Sequence, residues 1–470
     1  MWRSVMLVGA VLTGCTVGPD YKGPTSEGVP TEFDASVAGV LDGVKSPAEE
    51  PVDLAAWWKS FDDPMLTRLI ERAAAENLDV AQATARLRES RAILGLTRTL
   101  DLPTVDAAGG YRRQRGSENG VFPGGQDEDY HAVGFDMVWE LDVFGRNRRA
   151  VEAAEAEVGA ATASLRGVQV TLAAEVGRTY FELRSAQERL AIARGNAEIQ
   201  RQSLELARAR YEAGLTSELD VAGARVLLSE TQAVIPRFEA EAASAAHRLG
   251  VLVGLEPRAL VAELAEARPL PERTSGVPIG LPSELLLRRP DLKEAERRLA
   301  GSTARVGVAT AELFPRVQLT GEVGLESLSA EELFNASSRF YGVGPVVRWR
   351  VFDFGRIRRD IEAAEARTDE AAAAYQQAVL VALEEVYNAL VREAAETARV
   401  EQLREAQSAG RRSVEIATEL YSRGLSDQIR VLDAQRQLFI VEESLADAKR
   451  SAAVQRVALY KALGGGWEQR

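Results

Sequence analysis

Four stretches of the chain alternate apolar and polar residues with a period of two. Val105, Ala107, Gly109 and Tyr111 oppose Thr104, Asp106, Ala108 and Arg112. Val133, Phe135, Met137, Trp139 and Leu141 oppose Gly134, Asp136, Val138, Glu140 and Asp142. Further on, Val317, Leu319, Gly321, Val323 and Leu325 oppose Arg316, Gln318, Thr320 and Glu322. Tyr341, Val343, Pro345, Val347, Trp349 and Val351 oppose Gly342, Gly344, Val346, Arg348 and Arg350. Alternation of this length predicts strands with one apolar and one polar face, at about 103–115, 131–142, 315–325 and 340–352. A soluble sandwich and a membrane barrel share the pattern. Trp139 and Trp349 end equivalent strands on the apolar face, where the aromatic girdle of a membrane barrel lies. Pro345 lacks a ladder donor and marks a local break. Four strands cannot close a barrel, since the smallest have about eight, so closure needs several chains.

The period then changes to that of a helix. No proline falls within 147–212 or 357–423, and both stretches are rich in Ala, Glu, Arg and Leu. A helix of that length runs about 100 Å at 1.5 Å per residue, which implies coiled-coil packing. Ala153-Ala154, Ala160-Ala161 and Ala371 to Ala374 let helices approach closely. Shorter return helices are predicted at about 217–252 and 427–463, and preceding helices at about 78–101 and 291–313. Taken alone, these helices also suit a stalk without a conduit.

The chain is written twice. Trp139-Glu-Leu-Asp142-Val-Phe144-Gly145-Arg146 returns 210 residues later around Trp349 and Phe354-Gly355-Arg356. Tyr211-Glu-Ala-Gly214-Leu215 returns as Tyr421-Ser-Arg-Gly424-Leu425 at the same offset. Leu102-Pro103 matches Phe314-Pro315, and Asn77-Leu-Asp79 matches Arg289-Pro-Asp291, both 212 apart. Internal repetition of this kind sets the domain plan. Repeat 1 covers 61–255, a proline-rich linker 256–290, repeat 2 291–463 and a tail 464–470.

Composition narrows the setting. The 470 residues carry a formal net charge of −13, with arginines spread along acidic helices, which excludes a nucleic-acid footprint. No run of 18 apolar residues follows the N-terminus, so no transmembrane helix is expected; a closed barrel needs none. The one cysteine, Cys15, rules out an intramolecular disulfide. Arg3, the apolar stretch Val5 to Leu12 and Leu12-Thr13-Gly14-Cys15 read as a secretory signal over 1–14. The signal is similar to a bacterial lipobox, which makes Cys15 the lipidated start of an extended segment, 15–60. Thr16, not Asp, follows it, and this implies the outer membrane. His131 and His247 share no ligand spacing, and no phosphate loop or Ser/His/Asp set has a recognisable context. No catalytic residue, metal or cofactor is therefore expected.

Leu12 to Pro24 (LTGCTVGPDYKGP), Trp57-Trp58-Lys-Ser-Phe61-Asp-Asp-Pro64, the paired Phe-Gly-Arg motifs and Ala462-Leu-Gly-Gly-Gly-Trp467 resemble the lipoprotein branch of the TolC-like outer-membrane factors. The resemblance covers essentially the whole mature chain. It implies a mainly α fold with a transmembrane β-barrel: a homotrimer with four barrel strands per chain and long periplasmic coiled-coil hairpins. It also implies a passive exit duct for drugs or other small solutes. The implied partners are a periplasmic adaptor, an inner-membrane pump of the resistance-nodulation-division type, and outer-membrane lipids. Gly214, Leu215, Thr216, Gly424, Leu425 and Ser426 match the hairpin tips that dock the adaptor. Asp433 matches an acidic ring of the periplasmic constriction, and Arg430 stands where some relatives carry a second one. Asp220, Tyr421 and Arg430 are expected to form an interhelical latch. The alternative is a periplasmic coiled-coil scaffold or adaptor without a pore.

Overall fold

The computed structural model describes residues 16–23, 53–119, 125, 127–271 and 288–467. Cys15 lies outside them. The helices are α1 (Pro64–Glu76), α2 (Leu78–Arg98), α3 (Arg146–Glu212), α4 (Glu218–Leu252), the short α5 (Val261–Leu264), α6 (Pro290–Ala311), α7 (Arg356–Ser422) and α8 (Gln428–Ala462). The strands are β1 (Thr104–Arg115), β2 (Asp127–Leu141), β3 (Arg316–Ser327) and β4 (Arg339–Arg348). α3 and α7 each have 67 residues, and α4 and α8 each have 35. Among the described residues, no helix is long and apolar enough to cross a membrane.

The chain divides into two compact units. The first holds the described residues of Met1–Thr25, Arg86–Thr162 and Glu294–Gln376. Its four strands form one antiparallel sheet in the order β1-β2-β3-β4. The register pairs odd residues with odd: Val105↔Met137, Ala107↔Phe135, Phe135↔Val323, Trp139↔Leu319, Val323↔Tyr341 and Val317↔Val347. Since a one-residue slip would invert every side chain, this register gathers the apolar positions of all four strands on one face. Within the chain that face is bare, with Phe135 57 % and Tyr341 85 % exposed.

Two strand ends differ from the alternation. β2 starts at Asp127, because the Arg113–Asp127 ion pair (3.1 Å) and the Tyr111–Asp129 hydrogen bond (2.7 Å) prolong the ladder with polar pairs. β4 stops at Arg348, whose partner Arg316 is the first residue of β3. Pro345 does not break β4; it sits opposite Leu319 on an edge strand, where proline is tolerated.

The N-terminal segment is strapped to this unit. Val17 N–H donates to the Phe144 carbonyl (3.2 Å). The buried Arg149 guanidinium donates to the Val17 and Gly18 carbonyls and to Asp20 (3.1, 3.2 and 2.6 Å). Gly18 has φ +88°, and a Cβ there would lie 2.4 Å from the Gly307 Cα, so only glycine fits.

The second unit holds the described residues of Ser26–Ala85, Ala163–Lys293 and Gln377–Arg470. Trp57, fully buried, stacks on Tyr460 at 5.3 Å, and Phe61 packs on Phe181 at 4.9 Å. Asp63 caps α1 through the N–H groups of Met65 and Leu66. The Gly-rich C-terminal motif meets the Trp57 segment here: Gly466 N–H donates to the Leu54 carbonyl at 2.9 Å. Two motifs far apart in sequence thus build one core.

Candidate functional site

The tips form because glycine ends a helix where a left-handed residue is required. Gly214 (φ +72°) and Gly424 (φ +74°) close α3 and α7. Leu215 N–H returns to the Arg210 carbonyl (2.8 Å) and Gly214 N–H to Tyr211 (2.8 Å). At the other tip Leu425 N–H returns to Leu420 (2.9 Å) and Gly424 N–H to Tyr421 (3.0 Å). Both are Schellman ends, which satisfy carbonyls that the helix leaves orphaned. Leu215 and Leu425 are exposed apolar tips, 67 % and 71 %. Thr216 and Ser426 follow them, each half-buried.

Past the turns the two hairpins diverge. Ser217 and Asp220 form a capping box at the start of α4. The Asp220 carboxylate accepts from Thr216 Oγ1, from Ser217 N–H (3.3 Å) and from Ser217 Oγ (3.2 Å). The Thr216 bond, first among these contacts, holds the Asp220 carboxyl below its usual pKa. At α8, Asp427 is the N-cap residue but its side chain bonds no backbone N–H. The buried Gln428 amide has neither of its atoms hydrogen-bonded among the described residues.

The latch expected of Asp220, Tyr421 and Arg430 does not assemble as one contact. Tyr421 is 3 % exposed and lies under a different cation: the Arg210 guanidinium sits 4.6 Å from its ring centroid, and Arg210 Nη1 donates to the Tyr421 carbonyl (3.1 Å). Burial pushes the Tyr421 phenol up, Arg210 opposes this, and the charge of Asp220 adds to it. The Asp220 charge therefore reaches Tyr421 without a hydrogen bond between the two. Arg430 is exposed on α8 and makes no ion pair among the described residues. Sequence reasoning passed over Arg210. Its signal was there: position 210 is arginine where the second copy, at 420, has leucine.

Asp433 lies one turn along α8 from Arg430. Its side chain is 65 % exposed and meets Arg436 only at 4.0 Å. Its neighbour Leu432 points inward, into a cluster with Ala197, Leu204, Ala224 and Leu227 of α3 and α4. Deeper along α8, Gln435 donates to Ser203 (2.7 Å). Glu442 accepts from Asn196 (2.9 Å) and Arg411 (3.0 Å), joining three helices.

In the first unit, the indole N–H of Trp139 donates to the Asp101 carbonyl (2.9 Å) and that of Trp349 to Leu313 (3.0 Å). Each tryptophan thus ties a strand end to the helix end that precedes its hairpin.

A single antiparallel sheet with one bare apolar face, joined to 67-residue helices that turn at glycine tips, defines the fold of an outer-membrane channel protein. The structure of the outer-membrane channel OprN superposes with a TM-score of 0.90 at 39 % identity, covering 96 % of this chain and 100 % of that one. The sequence is 31 % identical to nodulation protein T of Rhizobium leguminosarum bv. trifolii over 457 residues, 97 % of this chain and 96 % of the relative. It is 30 % identical to the solvent efflux pump outer membrane protein SrpC of Pseudomonas putida over 460 residues, 97 % of this chain and 96 % of that one. The outer membrane efflux protein family model matches residues 69–255 and again 281–465. The chain belongs to the outer membrane efflux protein family. It is an outer-membrane efflux channel of the TolC-like type, not a pore-free scaffold or adaptor, and its family is not one of enzymes.

Proposed function

We propose that the chain works as a lipid-anchored homotrimer, the passive exit duct of a tripartite pump. Three copies of the four-stranded sheet would close a twelve-stranded barrel. The observation that carries this reading is the register, which leaves one continuous apolar face for lipid and two open edges for neighbouring copies. An uncovered apolar face and unpaired edges are costly in a lone soluble chain, whereas a closed barrel in lipid removes both costs.

Two internal repeats underlie the fold. The family model matches twice, and α3 and α7, like α4 and α8, are equal in length. Equivalent side chains also make equivalent bonds: Asn77 donates to the Leu252 carbonyl and Arg289 to Ala462 (2.9 and 3.0 Å). Cys15 carries the lipid; in support, Thr16 beside it packs on Gly145 just past β2, close to the membrane-facing sheet.

The tips at Gly214–Thr216 and Gly424–Ser426 dock a periplasmic adaptor, with exposed Leu215 and Leu425 as apolar contacts. An inner-membrane pump of the resistance-nodulation-division type supplies the energy. SrpC, a relative over nearly its whole length, is itself the outer-membrane protein of a solvent efflux pump. Three Asp433 carboxylates form an acidic ring, tempered by Arg430. Opening moves the α7–α8 hairpin and parts Tyr421 from Arg210, and adaptor contact at the tips biases it.

Single-channel recording in a planar bilayer tests this, with wild type beside Asp433→Ala. The expected result is small, mostly closed events whose conductance rises or whose cation preference falls in the variant. A conducting wild type with an unchanged variant would remove Asp433 from the gate. Silence from both, and from tip variants as well, would overturn the channel reading.

A further inference from the structure

The sheet contains an unbalanced row. Asp106, Asp136 and Glu322 stand directly opposite one another on β1, β2 and β3. Like charges in such positions repel. Among the described residues none of the three makes an ion pair, and the row ends at Gly342 on β4. Arg350, two residues past β4, is exposed and also without an ion pair among the described residues.

The repeat offsets show how these charges meet. Moving the β1–β2 ladder by 212 residues on its first strand and 210 on its second reproduces the β3–β4 ladder. Thr104↔Val138 becomes Arg316↔Arg348, and Arg112↔Tyr130 becomes Gly324↔Phe340. The same offsets turn the β2–β3 ladder into a ladder between β4 and a β1 that this chain cannot itself supply. Trp139↔Leu319 maps onto Trp349 and Ala107, Leu141↔Val317 onto Val351 and Val105, and Glu140↔Gln318 onto Arg350 and Asp106. Beyond the strands, the stacked Phe144 and Phe314 (4.8 Å) map onto Phe354 and Leu102. Phe354 is 92 % and Leu102 59 % exposed, so both ends of that contact are vacant in one chain.

We infer that β4 of one copy pairs with β1 of the next in the register that sets Arg350 opposite Asp106. The ion pair between copies relieves the carboxylate row, and Phe354 packs on Leu102 beside it. This rests on the homotrimer proposed above and adds its register and its bonding residues. Two independent features agree with it. Apolar positions stay on one face, with Val347 opposite Gly109 and Val351 opposite Val105. β4 gains a partner out to Val351, the length that its alternation predicts. Pro345 falls opposite Tyr111 and forgoes at most one ladder bond.

The test is oxidative cross-linking of the full-length protein in membranes with Val105→Cys and Val351→Cys combined. Opposite positions lie about 4.5–5.5 Å apart at Cβ, whereas within one chain the two edges are about 14 Å apart, three strand spacings. A covalent trimer is expected, at least tenfold more abundant than from Ala107→Cys with Val351→Cys or Pro103→Cys with Val351→Cys. Charge exchange gives a second measurement. Asp106→Arg alone and Arg350→Asp alone should each reduce detergent-resistant trimer, and the double variant should restore it. Preferential cross-linking of an offset pair, or no restoration in the double variant, would overturn the register while a trimer by light scattering kept the channel reading. A monomer by light scattering for the wild type would overturn both.

Discussion

The two helical hairpins have equal lengths and the same glycine turns, yet the helices that follow those turns are capped differently. At the first tip Asp220 gathers three donors and completes a capping box. At the second, Asp427 caps nothing with its side chain, and the buried Gln428 amide has neither atom hydrogen-bonded among the described residues. Each such buried, unpaired group costs about 1–3 kcal/mol. The same glycine turn is thus followed by a capped helix start at one tip and an uncapped one at the other, and the two tips are joined through Arg210 over Tyr421.

Four substitutions break or sharpen the comparison. Arg210→Ala should have the largest effect. It removes a charge-assisted bond and a cation–π contact, together about 2 kcal/mol, and where opening parts them the open-to-closed ratio should rise roughly thirtyfold. Single-channel open probability measures this; no change would place the hinge elsewhere. Asp220→Ala should cost about 1 kcal/mol at the first tip, read by hydrogen exchange at the start of α4.

The Asp220 contribution also carries a sign with pH. Its folded pKa lies below the unfolded value, so the stabilisation is complete above that unfolded value of about 3.9 and is lost as pH falls through the folded one. Protection at the first tip should therefore fall at acid pH in the wild type and stay flat in the Asp220→Ala variant. Gln428→Leu should stabilise the second hairpin by about 1 kcal/mol, since it removes unsatisfied polar atoms, and lower the open probability. Asp427→Ala should be the mildest, within about 0.5 kcal/mol, because the side chain makes no capping bond. A cost equal to that of Asp220→Ala would erase the asymmetry.

The fold was legible where a period repeats. Odd-numbered apolar residues announced the sheet, and the proline-free stretches announced α3 and α7. The repeat offsets even carried the register, since the same shifts that relate Trp139 to Trp349 relate the two hairpin ladders. Strand ends were less legible. The Arg113–Asp127 pair extends β2 with residues polar on both sides, and β4 ends where its partner does rather than where its alternation does. The tips could be read because glycine at a helix end has one conformational reason to be there. The latch could not. The sequence put Arg430, a departure from the family's pattern on the exposed face of α8, into the latch, whereas the cation that reaches Tyr421 is Arg210 on another helix. Which of two arginines folds over a ring depends on helix rotation, and helices of this length show too weak an amphipathic pattern to fix it.

The matched lengths of the long helices bear on how such a chain can change. Deleting seven residues from α3 alone would draw the Gly214 turn back by about 10 Å, out of step with the Gly424 turn. Arg210 would then face no ring. Insertions and deletions in these helices can persist only as matched sets, in both helices of a hairpin and in both hairpins at once. Helix length is thus a coupled property, fixed at both tips together by the Arg210–Tyr421 contact.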